Sequence, residues 1–176
     1  MTPRDAALIA TDDALIAQSE VDRYRASGPG GQHRNKTESA VRLRHLPTGV
    51  SAIGEDSRSQ AENKIYAVRR LRAAIALEVR SPIAGELDRY MPSPRLAAVV
   101  AGGTAPLGAR TRLTADYWLA IAELLDLLVA GELEIGATAR RLGITTGAMS
   151  KLLLHDDAVA RVVNDLRRAR NMRPLR

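Results

Sequence analysis

The stretch Arg25-Ala-Ser-Gly-Pro-Gly-Gly-Gln-His33 has the residue types and spacing to do chemistry, and Asn35-Lys36-Thr37-Glu38-Ser39-Ala40-Val41-Arg42 follows it closely. Glycine has no Cβ and reaches backbone angles closed to other residues, so a Gly-Gly-Gln loop can bring bare main chain against a reacting carbonyl. An ester hydrolysed through a tetrahedral intermediate places negative charge on oxygen. A fixed N–H donor in a site closed to solvent stabilises that charge, and one such donor is worth roughly a hundred- to a thousandfold in rate. Between Arg23 and Arg44 the cations Arg23, Arg25, Arg34, Lys36, Arg42 and Arg44 face one acid, Glu38, which suggests a carbonyl carried on a polyanion. Other hydrolase signatures are missing. There is no Gly-x-Ser-x-Gly, the three His lack metal-ligand spacing, and the absence of Cys excludes disulfides, thiolate metal sites and a Cys nucleophile.

Elements must hold that loop in place. Residues 20–25 alternate in polarity, with Val21 and Tyr24 bulky, and predict a short strand. Ser27 to Gln32 is a loop, and Asn35 with Glu38 three residues on predicts a capped short helix. Val41 to Leu46 alternates as a strand, Pro47-Thr48-Gly49 turns, and Val50 to Ile53 returns as its hairpin partner. Ser59 and Glu62 form a second capping box opening a helix to about Arg80. Its stripe Ile65, Val68, Leu71, Ile75 and Val79 is expected to cover one face of the sheet, with Tyr24 and Tyr66 in the core.

Residues 81–112 carry half of the prolines and several glycines, which reads as a linker with one short helix near Leu96. The rest is helical. Thr114 caps a helix to about Val129 with Tyr117, Ile121, Leu124, Leu125 and Leu128 on one face. Shorter helices follow over Ile135–Leu142, from Thr145 or Thr146 to His155, and from Asp156 or Asp157 through Val159, Val162, Val163 and Leu166. Ala139, Leu142, Gly143, Met149 and Leu152 have helix-turn-helix spacing, a geometry that either binds a nucleic-acid groove or only packs.

At 176 residues the chain allows one medium domain or two small ones. With 45% hydrophobic residues but one Trp, four Tyr and no Phe, the core must be Leu, Ile, Val and Ala, which favours helices. Asp5, Asp12 and Asp13 interrupt the first apolar stretch, so no signal peptide is expected. The longest uncharged run, Leu96 to Ala109, is broken by Gly102, Gly103, Pro106 and Gly108 and does not read as a membrane span. The expectation is a soluble, cytoplasmic protein. A formal charge of +6 favours a polyanionic partner over a bland solvated face. A second basic cluster, Arg161, Arg167, Arg168, Arg170, Arg173 and Arg176 against Asp165, points the same way.

The combined pattern comprises Arg25-x-Ser27-Gly28-x-Gly30-Gly31-Gln32-His33, Asn35-Lys36-Thr37, Ser39-Ala40-Val41-Arg42, His45-x-Pro47-Thr48-Gly49 and Arg58-Ser59-Gln60-x-x-Asn63-Lys64. It resembles the catalytic domain of bacterial class I peptide chain release factors and the single-domain ribosome-rescue hydrolases related to them. The resemblance runs over residues 19–80 and implies an α+β fold, a small GGQ domain with a short sheet packed on a long helix. With the residue-level reading it gives three parts: a catalytic domain over 1–80, a linker over 81–112, and a small all-helical, helix-turn-helix-like module with a basic tail over 113–176.

By that resemblance the substrate is the ester joining a nascent peptide to P-site tRNA, cut at the peptidyl transferase centre of the large ribosomal subunit. Gly30, Gly31 and Gln32 take the catalytic positions. The Gln32 main-chain N–H would stabilise the developing oxyanion or the departing ribose 3′ oxygen. Its side chain would shape the space held by water and serve as a target for N5-methylation by a glutamine methyltransferase. A tRNA ribose hydroxyl can relay protons, which leaves His33 as a structural or RNA-contact residue rather than a general base. Arg25, His33, Arg34, Lys36, Arg42, Arg44 and Arg58 are expected on rRNA or tRNA, and Arg167, Arg168 and Arg170 on RNA through the tail. Ser39 and Ser59 are read equally as local hydrogen-bonding residues or contacts, and His45 as a hairpin residue. Neither a metal, a cofactor nor a membrane is implied.

Two departures from the family matter. Arg34 stands where relatives usually carry an apolar residue, often Val, which implies a shifted helix start or a direct RNA contact. The chain also shows no helical first domain and no codon-recognition domain, so stop-codon reading is not expected. Two roles follow. One is a codon-independent peptidyl-tRNA hydrolase whose tail stays disordered until bound. The other is a non-catalytic ribosome- or nucleic-acid-binding regulator acting through the helix-turn-helix-like module.

Overall fold

The computed structural model describes residues 1–25, 38–83, 85–102 and 114–176. They form two compact units, Met1–Val79 and Arg80–Arg176.

The first unit contains α1 (Pro3–Ile9), α2 (Asp12–Ala17), β1 (Ser19–Tyr24), β2 (Ala40–His45), β3 (Ser51–Gly54) and α3 (Gln60–Glu78). The opening helices differ from the sequence reading, in which Asp5, Asp12 and Asp13 only interrupt an apolar stretch. Thr2 Oγ1 accepts from Asp5 N–H at 3.1 Å with Pro3 in the first turn, and Thr11 Oγ1 accepts from Ala14 N–H at 3.2 Å. The acids therefore sit in first turns, where a carboxylate opposes the helix dipole. Ala7, Leu8 and Leu15 go into the core. Arg72 of α3, itself buried, reaches the end of α1. It donates to Leu8 O at 2.7 Å and Ala7 O at 3.3 Å, and pairs with Asp12 at 2.8 Å. Carbonyls that α1 leaves unpaired at its end are satisfied in this way.

The three strands form an antiparallel sheet in the order β1-β2-β3. Gly49 closes the β2–β3 turn at φ +73, a left-handed conformation that costs other residues about 1–2 kcal/mol. Along β2, Val41, Leu43 and His45 are buried while Arg42 and Arg44 are exposed. Behind the sheet lies α3, and its inner face runs Asn63, Ala67, Leu71, Ile75, with Val68, Arg72, Ala76 and Leu77 beside it. Ile65 is 49% exposed and Val79 half-buried, so the stripe read from apolar residues alone lay partly off the true face. The reason is close packing. A Cβ on Gly54 would stand 2.0 Å from Asn63 O and 2.8 Å from Ala67 N, so β3 rests directly on the backbone of α3. That contact selects small and hydrogen-bonding residues on the helix, not large apolar ones.

The second unit has a 3-10 turn (Leu87–Arg89) and five helices among its described residues. These are α4 (Pro94–Ala101), α5 (Ala115–Ala130), α6 (Ile135–Arg141), α7 (Thr146–Leu154) and α8 (Asp157–Ala169). Its centre is α5, which buries Tyr117, Trp118, Ala120, Ile121, Ala122, Leu124, Leu125, Leu127 and Leu128, more than the single face expected. The stretch read as linker contributes to this unit: α4 packs on α5 through Leu96 and Val99. Glu123 of α5 accepts from Ser93 N–H at 2.8 Å, from the Ser93 hydroxyl at 2.5 Å and from the Tyr90 hydroxyl. Burial, then the Glu123 carboxylate, push the Tyr90 phenol far above the usual tyrosine range.

The carboxyl terminus folds back on α8 instead of standing free. Asn171 adopts φ +57, Met172 N–H donates to Arg167 O at 2.9 Å, and Leu175 N–H donates to Asn164 Oδ1 at 2.7 Å. The sequence expectation of a tail without order is corrected here, because Asn164 and Arg167 supply it with partners. Among the described residues no helix is long and apolar enough to cross a membrane.

Candidate functional site

Tyr24 and Ala40 are the last Cα partners of the β1–β2 ladder, so the sequence carrying the glycines leaves and re-enters the sheet at adjacent positions. Gly30, Gly31, Gln32, His33, Arg34 and Lys36, and the helix expected from Asn35, lie outside the described residues. What the structure does show is the root on which they are mounted.

The exit side of that root is fixed by α3. Gln60 Nε2 donates to Glu38 O at 2.9 Å, and Asn63 Nδ2 donates to Ser39 O at 2.7 Å. Asn63 has no exposed surface. Its Nδ2 also donates to Ser57 O at 2.7 Å, and its Oδ1 accepts from Ser57 N–H at 2.8 Å. One buried amide thus ties the start of β2 to the segment between β3 and α3. Ser39 acts here through its carbonyl and is buried. Ser59 caps α3 by accepting from Glu62 N–H at 3.4 Å. The reciprocal half of the expected capping box is replaced, because Glu62 accepts from the Ser57 hydroxyl and Ser59 N–H donates to Ser57 Oγ at 3.0 Å.

The entry side is exposed. Arg25 faces Glu38 at 3.7 Å, and the Arg42 guanidinium lies 5.2 Å from the centre of the Tyr24 ring. Tyr24 is half-buried rather than in the core, with its hydroxyl 3.4 Å from Glu55. Burial and then the Glu55 carboxylate raise its phenol above the ordinary range, against the opposing pull of Arg42.

The cations expected at a polyanion fall into distinct settings. Arg42 is opposite Asp22 and Arg44 opposite Glu20 in the strand register, with ion pairs at 3.6 and 3.5 Å. Exposed pairs of this kind are worth about 0–1 kcal/mol, so the carboxylates hold these two guanidiniums only weakly. Arg58 is exposed just before α3. Arg167, Arg168 and Arg170 belong to the other unit. Arg167 donates to Leu133 O and Arg173 O, both at 2.8 Å, Arg168 pairs with Asp165 at 2.5 Å, and Arg170 is exposed. His45 is a hairpin residue, as read: its ring nitrogens meet Thr48 Oγ1 at 2.8 Å and Gln18 Oε1 at 3.1 Å. Burial lowers its pKa below the usual histidine value.

Asn63 is the residue sequence reasoning under-read. It lies within the matched pattern, but no hydrophobic periodicity gives it a role. The available signal was its place four residues before Ala67, eight before Leu71 and twelve before Ile75, on one helical face.

A three-stranded antiparallel sheet on one long helix, with the Gly-Gly-Gln sequence between its first two strands in the chain, defines an α+β domain. The RF-1 domain family matches residues 14–87. Peptide chain release factor 2 of Corynebacterium aurimucosum is 42% identical over 104 residues, 58% of this chain and 26% of that protein. Peptide chain release factor 1 of Albidiferax ferrireducens is 49% identical over 81 residues, 43% of this chain and 22% of that protein. Peptide chain release factor 2 of Buchnera aphidicola subsp. Baizongia pistaciae is 57% identical over 56 residues, 32% of this chain and 15% of that protein. Over residues 14–87 the chain is similar to the RF-1 domain and to peptide chain release factors 1 and 2. It spans about a quarter or less of the length of these relatives.

Proposed function

We propose that this chain hydrolyses the peptidyl-tRNA ester at the peptidyl transferase centre of the large ribosomal subunit, and does so without reading a stop codon. The observation that carries the reading is an intact Gly30-Gly31-Gln32 within the segment that matches the RF-1 domain, on a root held by the buried Asn63 amide. In this mechanism the Gln32 main-chain N–H donates to the oxygen that gains charge as the tetrahedral intermediate forms, and Gly30 and Gly31 let the backbone come close enough. The proton goes to the departing ribose oxygen by way of tRNA and water, and no side chain of this domain serves as general base. Arg25, Lys36, Arg42, Arg44 and Arg58 hold rRNA or tRNA phosphates and fix position without reading sequence, and His33 and Arg34 contact RNA beside the glycines. Methylation of Gln32 by a glutamine methyltransferase, and work in the cytoplasm, belong to the same reading.

The test supplies purified chain to ribosomes bearing labelled peptidyl-tRNA on messages with an empty A site, a sense codon or a stop codon, and to isolated large subunits bearing the same tRNA. Release that is equal with and without the stop codon is expected. Release that demands a stop codon would refute codon independence, and no release on any substrate would refute the hydrolase.

A further inference from the structure

The hydrolase reading leaves α6 and α7 without a task. Their connection is built in detail. Gly143 sits at φ +69, Gly143 N–H donates to Arg140 O at 3.1 Å and Ile144 N–H to Ala139 O at 3.0 Å, the paired bonds that end a helix sharply. Thr145 Oγ1 then caps α7 by accepting from Ala148 N–H at 3.1 Å. Ala139, Met149 and Leu153 are fully buried and Leu152 nearly so, which turns the opposite side of α7 outward. Gly136 and Thr146 meet where the two helices approach, a Cβ on Gly136 lying 3.6 Å from Thr146 Oγ1.

The outward side has one chemical character. Thr145, Thr146, Gly147 and Lys151 are exposed, Ser150 is half-exposed, and exposed Arg140 ends α6. No acid occurs in α7. Among the described residues, the large hydrophobic side chains that stand exposed are Met1, Ile9, Val21, Leu46, Ile65 and Met91, none of them in the helices α5 to α8. Hydroxyls and cations without an apolar anchor suit a phosphate-lined groove and not a protein interface, whose core is aromatic and aliphatic.

We propose that the exposed side of α7, with Arg140, is a binding site for duplex DNA in its major groove. Groove dimensions decide between DNA and RNA. A helix with its side chains is about 10–12 Å across, and the B-form major groove is about 12 Å wide. The A-form major groove is deep and narrow and does not admit it. The first turn of α7 carries only Thr146, Gly147 and Ala148, so its backbone can approach base edges closely, while Lys151 one turn on and Arg140 meet phosphates.

The experiment measures fluorescence anisotropy of a labelled mixed-sequence DNA duplex and an RNA duplex of the same sequence, titrated with the full chain over a salt series. Expected is DNA binding at least tenfold tighter than RNA binding. Lys151→Ala and Arg140→Ala should each weaken it severalfold and each flatten the slope of log affinity against log salt by about 0.9, the loss of one phosphate contact. Circular dichroism melts of both exposed-residue variants should match the parent, and their peptide release should be unchanged. Absence of DNA binding at about 50 mM salt, where non-specific contacts are strong, would overturn the proposal. So would RNA binding as tight as DNA binding, or an unaltered slope in both variants. Because release is read separately, failure here leaves the hydrolase reading intact, and failure of release leaves this one intact.

Discussion

Asn63→Ala is the most exposing perturbation of the loop root. The wild-type amide makes three hydrogen bonds, to Ser39 O, Ser57 O and Ser57 N–H, from a position with no exposed surface. Truncation leaves buried Ser39 O and the two groups of half-exposed Ser57 without their side-chain partner, and an unsatisfied buried group costs about 1–3 kcal/mol. Partial relaxation brings the expected total to about 3–4 kcal/mol rather than the full sum. The first unit lacks a tryptophan, since Trp118 is in the second, so amide hydrogen exchange of residues 40–54 is the suitable assay. A loss of about 3 kcal/mol corresponds to exchange faster by more than a hundredfold, at about 1.4 kcal/mol per tenfold. Asn63→Asp adds a sharper control. At neutral pH it turns an acceptor toward two carbonyls at 2.7 Å and should cost at least as much as alanine. Lowering the pH should recover part of the loss, because a protonated carboxyl can donate once. Exchange changed less than about fivefold by Asn63→Ala would refute the claim that this amide fixes the root.

Other expectations are simpler. Gly54→Ala should prevent the first unit from folding normally, because its Cβ meets backbone at 2.0 and 2.8 Å, whereas Gly49→Ala meets nothing within 4 Å and should cost only about 1–2 kcal/mol for its left-handed φ; thermal melts of the pair compare them. His45 has a folded pKa below its unfolded value of 6.5, so the native state binds its proton less readily than the unfolded chain. Urea unfolding should therefore show stability constant above about pH 7 and lost as pH falls through 6.5 toward the depressed folded value, a slope that His45→Gln reduces. Tyr90→Phe should destabilise the second unit by about 1.5–3 kcal/mol, the worth of a hydrogen bond to a charged group, and Trp118 fluorescence follows that unit directly.

Periodicity made much of the architecture legible. The alternation of Val41 to His45 and the apolar repeats of α5 dictate burial strongly enough to be seen in the residues alone. Caps were equally readable where a hydroxyl precedes an apolar run, as at Ser59, Thr114 and Thr145. The misses share a cause. α1 and α2 are short, and their acids were read for charge when their physical work is at helix starts. The inner face of α3 includes Asn63 and Arg72, polar residues buried because each satisfies backbone groups of a distant segment, a fact no hydrophobic pattern encodes. The basic clusters showed charge but not pairing. Only the strand register reveals that Arg42 and Arg44 stand opposite Asp22 and Glu20, and only the fold shows Arg167 spent on Leu133 O and Arg173 O.

The most direct test of the central claim is single-turnover release of labelled peptide from ribosomes with an empty A site, comparing the parent chain with Gly31→Ala. A main-chain donor brought close by glycine predicts release by the parent and a loss of roughly a hundred- to a thousandfold in the variant. Equal rates for the two chains would contradict it.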